Sequence, residues 1–267
     1  MSASQAEGRG FEPRLPLHQK VAKILAIFCF WFFHFFGIMV CMIHLKNVSK
    51  IYPPDIVGLQ DASLHIAPGE FVCIVGQSGA GKTTLARLLI AEERPTSGHV
   101  SVGGWDISNI SDAEVPELRR QIGVVFQDFK LLRARTVQEN VAFALEVAGA
   151  PSRRIREVVP QVLEIVGLQE KLGRYPHQLS GGERQRVVIA RSLVHGPKIL
   201  LADEPTGNLD AINTEDIINL LLRINAFGTT IVLVTHNREV VNKLKKRVVT
   251  LENGQVAYDK EKGRYKL

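Results

Sequence analysis

Cysteine is scarce in this chain, and the little there is forms no ligand pattern. Cys29, Cys41 and Cys73 are the three cysteines among 267 residues. None has metal-binding or redox spacing, and Cys73 falls inside an apolar run where a strand is expected. A zinc module or thiol redox centre is therefore excluded, and the usage fits a reducing cytosol. A large charge excess is also missing, since the formal net charge is +6. Basic residues gather late, at Lys243, Lys245, Lys246 and Arg247, then Lys260, Lys262, Arg264 and Lys266. A solvated face is the expectation there, with contact to acidic lipid headgroups as the alternative. No concentrated basic face and no long coiled-coil insertion accompany the motifs described below, which argues against nucleic acid as a partner.

The first 41 residues behave unlike the remainder. Ile24 to Ile43 form an uncharged run long enough to cross a bilayer. Arg9, Arg14, Lys20 and Lys23 precede it, and Lys46 and Lys50 follow closely. By the positive-inside rule this balance would hold the N-terminus in the cytosol and export everything after the run. No small-residue cleavage site follows, so a signal peptide fits poorly. A start at Met42, or at Met39, would remove the segment altogether. The expectation is a leader over residues 1–41, either a mis-assigned start or a membrane segment, and one folded domain over 42–267. With 45% hydrophobic residues, the chain can bury one sizeable core and a small subdomain.

From Met42 onward the pattern is α/β. Ile43–Tyr52 reads as a strand, and Leu59–Ile66 alternates apolar and polar residues. After the turn Ala67-Pro68-Gly69-Glu70, the apolar run Phe71–Val75 feeds Gly76-Gln77-Ser78-Gly79-Ala80-Gly81-Lys82-Thr83-Thr84. That is G-x-x-x-x-G-K-[ST] in its required context, a strand before and a helix (about Lys82–Ala91) after. The glycines let backbone N–H groups turn toward phosphate oxygens, and the helix adds its positive end. Lys82 would bridge the β- and γ-phosphates, and the Thr83 hydroxyl would ligate Mg²⁺. His99–Val102 reads as another short strand. Two S/T-x-x-E capping boxes, Ser111–Glu114 and Thr136–Glu139, are expected to start helices. Between them Ile122–Phe126 reads as a strand ending at Gln127. A further helix over Ile155–Val166, kinked at Pro160, suggests a helical subdomain from about Asp128 to Leu179.

The second half adds a second anion site. Leu179-Ser180-Gly181-Gly182-Glu183 opens a helix, presenting a hydroxyl and backbone N–H groups at its positive end. The apolar run Ile199–Ala202 then delivers Asp203-Glu204. Neighbouring strand residues point to opposite sides, so the two carboxylates can divide the work. Asp203 would hold Mg²⁺ and Glu204 would act as general base on water. Ile231–Val234 ends at Thr235-His236, which can set an imidazole against the γ-phosphate. Upstream, Tyr52 can stack on the base.

This set resembles the ATP-binding-cassette ATPases over nearly all of residues 42–257. The resemblance implies a P-loop nucleotide-binding domain with a RecA-like core, an antiparallel β subdomain and a helical subdomain. It makes Gly76–Thr83 the Walker A loop, Gln127 the Q-loop glutamine and a further Mg²⁺ ligand, and Leu179–Glu183 the signature. Asp203 and Glu204 become the Walker B carboxylates, Asn208-Leu209-Asp210 the D-loop, and His236 the switch histidine. It also implies that ATP lies between Lys82's loop on one protomer and Ser180's signature on another, hence a homodimer. Finer stretches, including Val115–Gly123, Phe126–Leu132, Thr136–Ala144 and Met42–Lys50, resemble the FtsE-type cell-division cassettes. That implies a membrane partner of the FtsX type, a peripheral place on the cytoplasmic face of the plasma membrane, and control of cell-wall hydrolysis. Ala202–Asp210 is shared with lipoprotein-release and macrolide exporters, which stay open as an alternative. A nucleotide-gated division scaffold with incidental hydrolysis is another.

Overall fold

The computed structural model describes residues 42–265, so the expectations for the leader lie outside the described residues. Two sheets and the helices around them form in the order β1 (Ile43–Tyr52), β2 (Ile56–Ile66), β3 (Phe71–Val75), α1 (Lys82–Leu89), β4 (Ser97–Val102) and β5 (Trp105–Asp106). Next come α2 (Val115–Arg119), β6 (Ile122–Val125), α3 (Val137–Val147), α4 (Ser152–Ile165), α5 (Gly181–Leu193) and β7 (Ile199–Asp203). The chain closes through α6 (Ala211–Ala226), β8 (Thr230–Val234), α7 (Arg238–Leu244), β9 (Arg247–Glu252) and β10 (Gln255–Lys260).

The central sheet has the order β10-β9-β3-β8-β7-β6. Strands β9, β3, β8, β7 and β6 run parallel, and β10 returns antiparallel to β9. Every residue of β3 and of β8 is buried, as continuous apolar runs covered on both faces must be. The register pairs Ile74 with Val234, Val234 with Asp203, and Ala202 with Val125. The carboxyl ends of four strands therefore line up at one edge. In open parallel sheets that edge is where ligands bind.

The second sheet is antiparallel, with the order β2-β1-β4-β5. Between the sheets α1 buries Leu85, Leu88 and Leu89, which join Leu45, Leu64, Val100, Ile74 and Val232 in one apolar cluster. At roughly 1.5–3 kcal/mol for each fully buried aliphatic side chain, this shared core pins the start of α1 between the sheets. Helix α3 packs on α4 and α5.

Several element boundaries differ from the sequence expectation. Strand β2 begins at Ile56, because it pairs with β1 as far as Tyr52. Strand β4 begins at Ser97, two residues before the expected His99, by pairing with Ser49 of β1. Helix α1 stops at Leu89 rather than Ala91. The Ser111–Glu114 box forms, with Ser111 N and Oγ donating to the Glu114 carboxylate at 2.9 and 2.6 Å. It closes a turn, however, and α2 starts only after it. Helix α4 begins at Ser152 and runs unbroken through Pro160, held by its buried face Val158, Val159, Val162 and Leu163. The Thr136–Glu139 box caps α3 as expected.

Candidate functional site

The turn after β3 is possible only with glycine. Gly76 has φ +153°, and a Cβ there would lie 2.4 Å from the Leu251 carbonyl oxygen; Gly81 has φ +101°, and its Cβ would lie 2.3 Å from the Gly58 carbonyl oxygen. Both positions press backbone against backbone and cannot accept a side chain. The resulting loop leaves Gln77, Ser78 and Gly79 exposed, with Ala80 buried beneath. Gly81 is the left-handed residue from which α1 departs. Lys82 folds back over the loop and donates to the Gly76 and Gln77 carbonyl oxygens, each at 2.8 Å. Burial pushes its pKa down, while Glu204 and Asp203 push it up. Thr83 beside it is exposed and Thr84 is buried.

Asp203 ends β7. Burial raises its pKa and Glu204 raises it further, against the lowering effect of Lys82. Lys82, Asp203 and Glu204 thus form one electrostatic group drawn from two strand ends. Glu204 departs from the sequence reasoning. It stands past the end of β7 with φ +47°, so strand alternation is not what separates the two carboxylates. The left-handed backbone turns Glu204 instead, an uncommon state for this residue type that often marks functional sites. Its N–H donates to Val234 O at 2.9 Å. Its carboxylate accepts from Thr235 Oγ1 at 3.3 Å and from His236 N at 3.0 Å, and meets His236 Nδ1 at 2.5 Å. The end of β8 therefore clamps Glu204, leaving its side chain 12% exposed against 68% for His236.

Thr83, Gln127 and Asp203 line a single open cleft of about 390 Å³, together with Phe126 and Lys130. A hydroxyl, an amide carbonyl and a carboxylate on one wall suit a hard, oxygen-seeking cation such as Mg²⁺. Among the described residues no cluster of three His, Cys, Asp or Glu side chains could hold a metal. Tyr52 is brought near the loop: its ring and the Thr84 hydroxyl both border the space beside Gly58. Lys50 Nζ covers the tyrosine ring at 5.1 Å.

The turn expected to be a second anion site is held by its own local hydrogen bonds. Ser180 caps α5, its Oγ accepting from Glu183 N at 3.2 Å while its own N–H donates to Glu183 Oε2 at 2.8 Å. The backbone hydrogen bond from Ser180 holds the Glu183 carboxyl below its usual range, helped by Lys171. Among the described residues no hydrogen bond or ion pair joins Ser180, Gly181, Gly182 or Glu183 to the phosphate loop. Asp210 caps α6 through Asn213 N at 2.8 Å.

Sequence reasoning missed three residues that hold these parts. Asn140 is fully buried in α3 and receives Leu132 N while donating to the carbonyls of Leu132, Arg135 and Thr136. Arg191 of α5 donates to the Phe129 and Lys130 carbonyls at 3.2 and 2.8 Å. Asn213 fixes Asp210. Only Asn140 left a signal, as a polar residue on an otherwise apolar helix face.

Comparison with known proteins agrees with this arrangement. A family model described as ABC transporter matches residues 59–207. The chain is 50% identical over 224 residues to the cell division ATP-binding protein FtsE of Streptococcus pneumoniae serotype 2, covering 84% of this chain and 97% of that protein. It is 49% identical over 219 residues to the methionine import ATP-binding protein MetN of Symbiobacterium thermophilum, covering 80% of this chain and 66% of that protein. Among solved structures, a dimeric post-hydrolysis state of the cassette MJ0796 bound to ADP and Pi superposes with a TM-score of 0.75 at 36% identity, covering 84% of this chain and all of that one.

Proposed function

The chain belongs to the ABC transporter family of ATP-binding proteins, and from that premise we propose that it is the ATP-hydrolysing subunit of an FtsEX-type cell-division complex. The observation that carries this reading is half identity to FtsE over 97% of that protein's length. The match to the methionine importer subunit is nearly as strong per residue, but this chain spans only 66% of that protein, so a third of the importer subunit has no counterpart in the match. Exporter-type relatives remain the alternative that a different membrane partner would reveal.

In this reading the loop N–H groups and the start of α1 hold the β-phosphate, and Lys82 exchanges the Gly76 and Gln77 carbonyls for phosphate oxygens. Tyr52, braced by Lys50 on one face, stacks its other face on adenine. Thr83, Gln127 and Asp203 would hold Mg²⁺, which supplies charge neutralisation on the phosphates. Glu204 accepts the proton of the attacking water, and His236 holds that carboxylate and meets the γ-phosphate. Ser180, Gly181, Gly182 and Glu183 of a second copy cover the same nucleotide from the other side, with Asp210 beside them. The dimeric state of the MJ0796 cassette supports such a pairing. Among the described residues no helix is long and apolar enough to cross a membrane. In this reading the chain sits peripherally on the cytoplasmic face of the plasma membrane, held by an FtsX-type integral partner, and the similarity to FtsE supports that placement.

Phosphate release, nucleotide binding and copurification test the proposal together. Glu204→Gln should retain ATP binding, lower kcat by about 10²-fold or more, and accumulate a closed dimer on size exclusion. Unchanged turnover would remove Glu204 from the base role. Capture from native membranes should bring down an FtsX-like protein, and a transport-type permease in its place would assign the chain to an exporter. Cells that divide normally with the turnover-deficient variant would favour the scaffold reading.

A further inference from the structure

The ends of α5 and α6 meet at the two segments that the proposed function sends across to the partner's nucleotide. Asn213, one turn into α6, donates from Nδ2 to Asp210 Oδ2 at 2.7 Å. A carboxylate only accepts, so the amide orientation is fixed and Oδ1 faces the other way. It faces Gly182: a Cβ on that glycine would lie 1.9 Å from Asn213 Oδ1 and 2.6 Å from its Cγ. Gly181 is crowded from the same side, its Cβ position lying 3.3 Å from Leu209 Cδ2. One turn on, Arg186 of α5 reaches Asp216 of α6 at 3.9 Å.

Gly182 does not have a positive φ, so conformation does not demand glycine there. The neighbour does. We propose that Asn213 is a positioning residue that clasps Asp210 with its amide nitrogen and seats Gly182 against its amide oxygen, locking the Ser180–Glu183 turn and the Asn208–Asp210 segment into one unit. Both segments then approach the partner's nucleotide at a fixed spacing, and neither can engage without the other. The absence of a side chain at Gly182 is set from inside the chain, in addition to any close approach of phosphate. This inference rests on the proposed ATPase reading for its consequence, but not for its contact.

The test is a double-mutant cycle on the full chain, read by thermal unfolding without nucleotide and by steady-state hydrolysis. Alanine for glycine inside a helix ordinarily stabilises. Here Gly182→Ala should instead lower Tm by about 3–6 °C, the response of a 200-residue domain to overpacking. Asn213→Ala in that background should restore Tm to the Asn213→Ala value. Gly182→Ala should also cut kcat about tenfold or more, with KM for ATP within about twofold because the phosphate loop lies elsewhere in the chain. Asn213→Ala alone, which adds no side chain at the nucleotide, should itself cut kcat about tenfold with KM for ATP within about twofold. A double variant no more stable than Gly182→Ala would overturn the contact. Turnover of Asn213→Ala within about twofold of wild type would overturn the positioning role. A wild-type chain without ATPase activity would sink the functional proposal alone, since the Tm cycle still reads the clasp.

Discussion

Asp203 and Glu204 are adjacent carboxylates in different electrostatic situations, and each can be tested separately. Burial and the Glu204 charge raise the Asp203 pKa, so the folded state binds a proton there more readily than the unfolded chain. Stability then falls as pH rises through the window between the unfolded value and the raised folded value, and the cost is fully present above that window. Asp203→Asn removes it. Discounted for the group's partial exposure, the gain in Tm at neutral pH should be about 1–2 °C, shrinking to nothing in acid, while hydrolysis is lost. A Tm that falls at neutral pH would contradict the assignment of strain to Asp203. Lys82 is held in the opposite sense: burial lowers its pKa, and two backbone carbonyls occupy its ammonium group. Lys82→Ala should therefore abolish nucleotide binding with little loss of fold, and near-normal affinity by fluorescence titration would contradict the phosphate-loop assignment. Cys73, in the same strand that feeds the loop, is pushed up to about 12 by burial, so thiol reagents should leave the native chain unlabelled there and unaltered in activity.

Elements bring these residues together, and here the sequence was legible to different depths. The strand-loop-helix around Lys82, the strand ends at Asp203 and His236, and the turn at Ser180 were all readable, because each is local and its backbone chemistry is written in glycines and apolar runs. What was not readable needed the register of the parallel sheet. Sequence alternation puts Glu204 on a strand, yet its orientation comes from a left-handed residue clamped by Val234, Thr235 and His236, contacts made across some thirty positions of chain. The segment after Gln127 carries few local signals of its own. It is held from α3 by Asn140 and from α5 by Arg191, and a fully buried asparagine with four hydrogen bonds is costly to remove because its partners stay buried. Asn140→Ala should destabilise by about 2–4 kcal/mol, read by urea denaturation. A loss below about 0.5 kcal/mol, the range of ordinary surface changes, would show that solvent replaces those bonds and that the segment is not anchored by α3.

At the scale of the molecule the proposed function draws on two segments of the chain. The phosphate loop, Asp203 and Glu204 lie at the carboxyl edge of the central sheet, while Ser180 to Glu183 start α5, and no hydrogen bond or ion pair among the described residues connects the two groups. Each chain carries one of each, so under the proposed function a second copy turned about a twofold axis would complete two equivalent sites, each built from both protomers. This arrangement has a signature that no single-chain site can reproduce. Lys82→Ala breaks one half of a site and Ser180→Arg the other, so either variant alone should be inactive at every site. When the two are mixed in equal amounts and allowed to exchange, half the dimers contain one of each chain. In those dimers the intact loop of one meets the intact signature of the other at one of two sites. Activity should therefore return to about a quarter of the wild-type value per chain, and should depend on total protein concentration as dimers form. Heterodimers detected by native mass spectrometry with no return of hydrolysis would mean that each chain completes its site alone, or that both sites must be intact to fire. A heterodimer with one wild-type chain distinguishes these outcomes: sites completed within a chain leave it half active with either variant, whereas obligate pairing of sites leaves it silent.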